Sequence, residues 1–476
     1  MGASSRWRQS GLALVILLGL AQSLLMVAII PPWQGPDEPR HFEYVRLLYD
    51  RGRLLSAEDT SIPLQQEILA SMERHDYWRF GYVQFPYDPQ QPPASFADVY
   101  WPLDPYWLFQ PPLYYVLAAS ALLPVAHASV DVQLYALRLV SILPGLLTII
   151  VAYWLARELF PDDPQLIVGI PAVVALLPMH AFISATVSND QLAELFGSLF
   201  FLALVLIYKR GWSLDRGALL LGSVVLGLLT KRTTLVTTIV LVLLGIGYGL
   251  RRLRQNRRGG TALLAAGGAV IAGFVGLLYR FPALADRILG YYLFLPTASQ
   301  LSTFRTIQTT GARGLLAFFS RGLLESFWGR FGWLNVRLAA QWYLLMGVLS
   351  VVAFLGVGEW LTRTKAHTSD RPAWAKRTVL TFAGSVALAN VLVIAREYRT
   401  WAHFAVTRPD MHMISTPQGR YLFPVIVPIA TLFVLGIREA FPRRWRPVGW
   451  ATSLLSVFVL DVVSILGYIL PFYLGR

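Results

Sequence analysis

The stretch that decides the fold is "GLALVILLGLAQSLLMVAIIPPWQGPDEPRHFEY", residues 11–44. Residues 11–30 carry no charge and are numerous enough to cross a bilayer as one helix. The run is longer than the apolar core of a typical signal peptide, and no small-x-small cleavage site follows it, so we expect a retained first span. Two adjacent carboxylates, Asp37 and Glu38, lie a few residues beyond it, followed by His41. What they do depends on the side of the membrane on which they lie.

The composition indicates a membrane protein. The chain has 476 residues, of which 55% are hydrophobic and only 14% are charged. This excludes an ordinary soluble globular protein and predicts an all-α polytopic membrane protein. The net charge of +14 would also suit nucleic-acid binding, but the basic residues fall between apolar runs, as in cytoplasmic loops. We therefore expect no nucleic-acid partner. The absence of cysteine excludes a disulfide framework and a cysteine metal site.

About eleven apolar runs are long enough to be transmembrane helices. The block 217–250 is interrupted by "TKRT", and we divide it into two spans at Lys231. One transmembrane domain over residues 1–476 is expected, with no separate soluble domain at the C-terminus. The predicted spans are 11–30, 138–156, 166–186, 191–208, 217–230, 234–250, 261–279, 341–362, 378–395, 421–437 and 449–470.

The orientation depends on the segment "PPLYYVLAASALLPVA", residues 111–126, which is either a short span or a helix on the membrane surface. If it does not span and the N-terminus is inside, the four most basic short loops all become cytoplasmic. The positive-inside rule favours this choice, so we expect a multi-pass plasma (inner) membrane protein with a cytoplasmic N-terminus. The cytoplasmic loops are then 208–216, 251–258, 362–377 and 438–447, and the extracytoplasmic loops are 31–136, which carries the interfacial helix, 280–337 and 397–420.

Three acidic residues then lie on the outer face and are candidate catalytic residues: Asp37, Glu38 and Asp190. A helix is predicted from Pro39 to Asp50, so Asp37 is alternatively an ordinary helix cap. Asp190, in the turn "SND", is alternatively a turn residue or a cap. An ionised carboxylate at the membrane boundary can act as a general base on a hydroxyl or can hold a divalent cation such as Mg²⁺ or Mn²⁺. Both roles stay open for all three acids.

Basic residues form the counterpart of these acids on the same face. Arg binds phosphate through its fork of donors and Lys binds it as a point charge. Any one of them alternatively extends to lipid headgroups. Because the positive-inside rule depletes outer-face cations, several in short polar motifs predict a phosphate ligand. The candidates are Arg138, Lys231, Arg330 and Arg420.

Four further residues are candidates for contact with substrate. His41 follows the acidic pair, and Gln110 precedes the predicted interfacial helix. Trp328, in "SFWGRFGW", and Tyr421, in "PQGRY", either stack on a sugar or belong to the aromatic belt at the membrane interface.

Taken together, these motifs resemble those of the GT-C superfamily. The acidic pair after the first span, the "PPLYY" helix, "SND", "LLTKRT", "SFWGRFGW" and "QGRYLFP" are similar in order and spacing to a bacterial family of unknown function grouped with GT-C. GT-C enzymes are membrane glycosyltransferases that use polyprenyl-phosphate-linked sugars; they include protein O-mannosyltransferases and the aminoarabinose transferases of lipid A.

The resemblance implies an inverting transfer in which Asp37 or Glu38 activates the acceptor hydroxyl and Asp190 is the second acid. It also implies that Arg138, Lys231 and Arg420 hold the donor phosphate. The expected partners are the lipid-linked sugar, membrane lipids and a glycan or lipid acceptor.

Two functions follow from these observations. The first is transfer of a sugar to an extracytoplasmic hydroxyl on a cell-envelope glycan or lipid. The alternative is a lipid or glycan flippase, or another transporter, which places polar residues near the midplane and often has repeated halves. Here the polar motifs lie at one interface and no repeat is visible, so the transferase is favoured. The sequence leaves open which of Asp37 and Glu38 is its base, and we favour Asp37. The sequence names neither the sugar nor the acceptor, and it leaves metal dependence and oligomeric state open.

Overall fold

The computed structural model describes residues 3–56, 59–80, 88, 90–99, 110–255, 272, 280, 312–362, 372–407 and 417–475. The apolar runs become helices because a chain in lipid must satisfy its backbone hydrogen bonds internally. Within the described residues, eight helices are long and apolar enough to cross a membrane, or nine if a bent pair counts as one span. The prediction of an all-α polytopic membrane protein is confirmed.

The bundle contains seventeen α-helices within the described residues, and a few short elements join them. The α-helices are α1 (Ala3–Ile29), α2 (Glu38–Arg51), α3 (Ile62–Arg74), α4 (Tyr77–Phe80), α5 (Leu113–Ala119), α6 (Val130–Leu159), α7 (Pro164–Leu176), α8 (Pro178–Ser184), α9 (Asp190–Arg210), α10 (Leu214–Leu228), α11 (Leu235–Gln255), α12 (Ala312–Gly329), α13 (Ala340–Thr362), α14 (Ala373–Thr407), α15 (Ile426–Ala440), α16 (Arg446–Val463) and α17 (Leu470–Leu474). The 3₁₀ turns are Phe96–Asp98, Ser120–Val125, Arg232–Thr234, Gly419–Val425 and Arg443–Trp445; Ser464–Ile469 is a π-helical turn. Strands β1 (Arg330–Phe331) and β2 (Val336–Arg337) form an antiparallel pair.

The predicted spans agree with these helices at most positions, with three exceptions, two of which affect the number of spans. The run 217–230 becomes α10, which has only 15 residues, fewer than a helix needs to cross a bilayer unaided. The run 261–279 lies outside the described residues, except for residue 272. The total of eleven spans therefore stays a prediction.

The run 166–186 is a bent pair rather than one straight span. The helices α7 and α8 meet at an angle of 59°. Pro178 begins α8, and the residue before a proline is disfavoured in the helical region. Leu177 accordingly has extended backbone angles, φ −67° and ψ 114°. The bend places the end of α8 near the start of α9.

The segment predicted as an interfacial helix is a helix that is too short to span. Residues Leu113–Val125 form one apolar helical segment, α5 followed by a 3₁₀ turn. The backbone N–H of Leu113 donates to the carbonyl of Leu229 at 2.9 Å, which attaches the start of α5 to the end of α10. Leu117 and Leu123 are exposed, as expected for a helix whose outer face meets lipid.

The helix predicted from Pro39 to Asp50 is observed as α2. Its apolar side is fully buried, with Phe42 and Val45 at 0% exposure. Gly52 ends the helix with φ 61° and its N–H donates to the carbonyl of Leu48, a conformation that glycine adopts without steric penalty.

Close helix packing in the bundle relies on small residues. A Cβ on Gly356 of α13 would overlap the backbone of Gly436 on α15, and a Cβ on Gly436 would overlap the backbone of Ala353. Two helix backbones can approach so closely only where side chains are small. At one end of the bundle lie the end of α1, the starts of α6 and α9, the break between α10 and α11, and the turn before α15.

Candidate active site

Glu38 lies in a buried ion pair with Arg138. Arg138 Nη2 donates to Glu38 Oε2 at 2.7 Å and Arg138 Nε donates to Oε1 at 2.8 Å. Both side chains are 0% exposed. The backbone N–H groups of Val187 and Gly35 donate to the same carboxylate at 3.1 and 3.3 Å. Glu38 is therefore saturated by donors from its own chain.

Arg138 also fixes the end of the first span. Its Nη1 donates to the carbonyl of Ile30 at 2.7 Å and its Nη2 donates to that of Pro31 at 2.9 Å. Both carbonyls lie just beyond Ile29, the last residue of α1, so a guanidinium on α6 holds the chain where it leaves this helix. The contacts of Arg138 thus join α1, α2 and α6 at one point.

Asp37, the neighbour of Glu38, has a different environment. It stands at the N-cap position of α2, but its side chain makes no capping hydrogen bond and its φ is 61°. The carboxylate accepts from Arg420 Nη2 at 2.6 Å instead, and the side chain is 35% exposed. The alternative interpretation of Asp37 as an ordinary side-chain cap is therefore wrong. The left-handed backbone turns this carboxylate away from the helix N-terminus and toward Arg420.

The charge of Asp37 is set by two opposed effects. Partial burial raises the pKa of the carboxyl group, but the Arg420 guanidinium, through its charge and its hydrogen bond, and the more distant Lys231 lower it. The net pKa lies below the ordinary 3.8 of an aspartate. Asp37 is ionised at neutral pH and therefore able to accept a proton.

Asp190 connects the two cations of the cluster. It is buried at the start of α9, where its Oδ1 accepts from Lys231 Nζ at 2.6 Å and its Oδ2 lies 3.3 Å from Arg420 Nη1. Ser188 Oγ donates to Oδ2 at 2.8 Å. Asp37, Arg420, Asp190 and Lys231 therefore alternate in charge. We refer to these four residues as the ionic cluster.

Lys231 lies in the break between α10 and α11, just before the span that begins at Arg232. Burial lowers the pKa of Lys231 to about 8, and the carboxylate of Asp190 opposes that shift. The ammonium of Lys231 is consequently the most readily titrated cation of the ionic cluster near physiological pH.

Tyr421 adds an aromatic face to the ionic cluster. It is partly exposed, and three cations lie over its ring: Lys231 Nζ at 5.7 Å, Arg420 Cζ at 5.6 Å and Arg396 Cζ at 4.4 Å from the centroid. Arg396 was not among the candidates from the sequence. The available signal was its position at the predicted outer end of the span 378–395, where the positive-inside rule makes a cation unusual.

His41 and Gln110 belong to a hydrogen-bonded network beside Asp37. His41 Nδ1 lies 2.8 Å from the Tyr115 hydroxyl, which donates to Gln110 Oε1 at 3.1 Å. Asn189 Nδ2 donates to the same Gln110 oxygen at 2.9 Å. Burial lowers the pKa of His41 to about 3, against the opposing effect of Asp37, so the imidazole is neutral. Asn189 and Tyr115 stood in quoted motifs, "SND" and "PPLYY", but were not named as site residues.

Trp328 and Arg330 make their contacts elsewhere. Trp328 is buried against Phe327 and Phe433, with ring centroids 5.2 Å apart in each pair. Arg330 Nε donates to the carbonyl of Leu334 at 2.8 Å. The structure therefore brings Asp37, Asp190, Lys231, Arg420, His41, Gln110 and Tyr421 together, and gives Glu38 and Arg138 a separate buried pairing next to them.

A second buried pair lies one helical turn below Asp190. His180 Nε2 on α8 is 2.9 Å from Glu194 Oε1 on α9, and both side chains are almost fully buried. An acid within an apolar run was the available signal, and the sequence-based predictions missed it. The pair joins the bent segment α8 to α9, which carries Asp190.

The acidic residues do not form a suitable metal site. Asp37 and Asp190 are paired with Arg420 and Lys231, and Glu38 is saturated as described above. In the described part of the chain, no group of three His, Cys, Asp or Glu side chains is arranged to hold a metal ion. A divalent cation would have to displace guanidinium or ammonium partners to collect the oxygen ligands it needs. The predicted set of Asp37, Glu38 and Asp190 does not fit an ion.

Comparison with known proteins identifies the family. Residues 20–429 match a family described as Predicted membrane protein (DUF2142). The chain belongs to this family. No curated protein is significantly similar to this DUF2142 member.

The fold of this DUF2142 chain is similar to that of solved oligosaccharyltransferase structures. Archaeoglobus fulgidus oligosaccharyltransferase AglB, in complex with an inhibitory peptide and a dolichol-phosphate, gives a TM-score of 0.52 at 13% identity, over 98% of this chain and 56% of that one. An Archaeoglobus fulgidus oligosaccharyltransferase in complex with Zn and sulfate gives a TM-score of 0.50 at 12% identity, over 95% of this chain and 52% of that one. This chain spans about half the length of those structures.

ArnT from Cupriavidus metallidurans bound to undecaprenyl phosphate gives a TM-score of 0.39 at 14% identity, over 100% of this chain and 79% of that one. A score this low is not evidence for a shared fold. The oligosaccharyltransferase structures, in contrast, share the fold of this chain.

Proposed function

We propose that this protein is an inverting membrane glycosyltransferase that moves a sugar from a polyprenyl-phosphate-linked donor to a hydroxyl on an extracytoplasmic glycan or lipid. The observation that carries the proposal is the environment of Asp37, an ionised and partly exposed carboxylate held by Arg420 in the ionic cluster. A general base must be ionised and within reach of the proton that it accepts, and cations bind a phosphate through its negative charge. The fold similarity to the oligosaccharyltransferase from Archaeoglobus fulgidus makes lipid-linked sugars the class of donor to test.

In the proposed reaction, Asp37 accepts the proton of the acceptor hydroxyl. The hydroxyl oxygen attacks the anomeric carbon of the donor sugar from the face opposite the phosphate, which inverts the configuration at that carbon. The bond between the anomeric carbon and the phosphate oxygen breaks, and the polyprenyl phosphate leaves with the bonding electrons. Lys231 and Arg420 stabilise the negative charge that develops on the leaving phosphate.

The other residues around the ionic cluster have supporting roles in this proposal. Asp190 orients both Lys231 and Arg420, which it contacts directly. The neutral His41 and the amide of Gln110 provide hydrogen-bonding groups for sugar hydroxyls. The pair of Glu38 and Arg138 is structural, because it joins three helices next to Asp37.

The charge distribution supports an extracytoplasmic location for the site. At the opposite end of the bundle, Lys209 and Arg210 contact Glu158, and Arg438 contacts Asp163. That end also carries the basic residues 251–254 at the end of α11 and the basic loop 438–447. Basic loops face the cytoplasm as a rule, so the N-terminus is cytoplasmic in this proposal and the ionic cluster is outside.

The test uses the purified full-length protein with a panel of polyprenyl-phosphate sugars and acceptor glycans or lipids. Release of polyprenyl phosphate, dependent on an acceptor, is the expected result for at least one sugar. A flippase would instead move the lipid-linked sugar between the leaflets of a vesicle without cleaving it. Translocation of intact donor with no cleavage for any sugar would contradict the proposal.

A further inference from the structure

Three cations surround the aromatic ring of Tyr421, which lies beside the ionic cluster. Arg396 lies closest to the ring of Tyr421, at 4.4 Å, and its side chain is 30% exposed. Lys231 and Arg420 lie over the same ring at 5.7 and 5.6 Å. Like charges gathered around one ring repel each other, and an anion bound among them relieves that repulsion. Arg396 reaches this position from α14, an element that contributes nothing to the ionic cluster itself.

The balance of charge limits the anion that this position can hold. The three cations face two carboxylates of the ionic cluster, Asp37 and Asp190, which leaves one net positive charge among these groups. A third carboxylate, Glu397, lies 3.7 Å from Arg396 and is buried. When Glu397 is included, the described groups are balanced. Neither count supplies the two or more positive charges that a diphosphate would require.

We propose that Arg396, Lys231 and Tyr421 form an anion site that selects donors whose sugar is attached through a single phosphate, and that excludes donors attached through a diphosphate. This inference rests on the proposed function. A sugar linked to a polyprenol by one phosphate is a phosphodiester with one negative charge, so it requires less positive charge than a diphosphate does. A diphosphate carries more charge, and the carboxylates that would hold a divalent counter-ion for it are already paired with Arg420 and Lys231.

The transfer step is consistent with this assignment. When the bond between the anomeric carbon and the phosphate oxygen breaks, the phosphodiester becomes a polyprenyl phosphate monoester and gains a negative charge. Arg396 and Lys231 lie where that additional charge develops, so their attraction to the phosphate increases during the reaction. Interactions that strengthen in this way accelerate the chemical step.

The test measures binding of three lipids that share one polyprenyl chain: a methyl phosphodiester, a diphosphate and the uncharged polyprenol. Binding to the full-length protein in lipid nanodiscs is followed by tryptophan fluorescence, at a fixed salt concentration. We expect the phosphodiester to bind more tightly than both other lipids. Arg396→Ala should weaken its binding by about tenfold, as expected for loss of a charge-assisted contact with phosphate.

The matched control is Arg377→Ala. Arg377 is also on α14 and also lies over a tyrosine ring, at 4.5 Å from that of Tyr208, but it lies at the opposite end of the helix. Its loss should leave phosphodiester binding unchanged. Equal affinity of the Arg396→Ala and Arg377→Ala variants, or tighter binding of diphosphate than of phosphodiester, would overturn the inference. The inference would also be overturned if the uncharged polyprenol bound as tightly as the phosphodiester.

Activity separates this inference from the function on which it rests. Transfer from a diphosphate-linked donor, and not from a phosphate-linked one, would contradict the single-phosphate site while supporting a glycosyltransferase. The predicted order of binding, without cleavage of any sugar donor, would support the anion site while contradicting the glycosyltransferase.

Discussion

Glu38 and Arg138 share two hydrogen bonds, of 2.7 and 2.8 Å, in an interior that leaves neither side chain exposed. This pairing separates the roles of two adjacent acids. Glu38 holds helices together through Arg138, whereas the side chain of Asp37 is partly exposed. The predictions below use that difference.

Replacing Asp37 with Asn should greatly slow transfer while the protein still folds. The side chain is partly exposed, so its loss disturbs packing little, but the amide cannot accept the acceptor proton. General-base catalysis contributes roughly 10²- to 10⁴-fold, and the initial rate of sugar transfer should fall by about that factor. The matched control is Asp50→Asn at the other end of α2, where the carboxylate pairs with Arg46 near the surface. Full activity of Asp37→Asn would remove Asp37 from the mechanism.

Replacing Glu38 with Gln should chiefly lower stability. The change leaves the buried guanidinium of Arg138 without its counter-charge, and breaking one partner of a buried ion pair costs about 3–5 kcal/mol. Thermal unfolding in detergent should show a clearly lower midpoint for Glu38→Gln than for Asp37→Asn. Equal midpoints for the two variants would show that the pair with Arg138 is not the structural joint described here.

Binding of an anionic lipid should weaken as the pH rises through about 8. The pKa of Lys231 lies near that value, and its charge is lost above it, whereas a methyl phosphodiester probe keeps one charge throughout. The pKa of Lys231 is about 8 in the folded chain and has its ordinary value of 10.5 in the unfolded chain. Between these two pH values the folded chain therefore binds fewer protons than the unfolded chain. In that window the contribution of Lys231 to stability rises with pH, so unfolding through this group cannot explain weaker binding.

The control for this pH dependence is Lys231→Arg, because a guanidinium stays charged over the whole range. Its affinity for the phosphodiester should be nearly constant between pH 7 and 9, if the variant binds the probe. A wild-type affinity that does not change over the same range would exclude Lys231 from the anion site.

Replacing Gly419 with Ala should disturb the position of Arg420. A Cβ at Gly419 would overlap the backbone of Phe327, and backbone cannot move aside as a flexible side chain does. The next residue, Arg420, carries the contacts to both Asp37 and Asp190. Both the unfolding midpoint and the transfer rate should fall. Gly384→Ala on α14 is the control, since a Cβ there meets nothing within 4 Å, and it should be neutral or slightly stabilising.

The proposed orientation can be tested directly because the chain contains no cysteine. A single cysteine at Ser61, before α3, should react with a membrane-impermeant thiol reagent added to intact cells. A cysteine at the exposed Asp215, at the start of α10, should react only after the membrane is permeabilised. The reverse pattern would place the ionic cluster on the cytoplasmic side.

The sequence predicts the helices well because their patterns are local. The bilayer fixes how long an apolar run must be, and the α2 helix ends at Gly52 as its sequence indicates. The bend before Pro178 is also local in origin, but whether a proline bends a span or begins a new helix depends on the packing around it.

The sequence could not distinguish Asp37 from Glu38, because the partners that separate them are remote. Arg138 is 100 residues from Glu38 along the chain, and Arg420 is 383 residues from Asp37. The same limit applies to Trp328, since a tryptophan in an outer loop has the same local signature whether it meets a sugar or packs against Phe433. Arg396 became a candidate only through its position over Tyr421.

The left-handed backbone at Asp37 has an evolutionary consequence. A residue with a Cβ at φ 61° is strained by about 1–2 kcal/mol relative to glycine. The backbone conformation alone therefore favours glycine at this position, whereas the contact with Arg420 and the proposed turnover favour aspartate. At position 37, a directed-evolution experiment would therefore have to trade backbone stability against turnover.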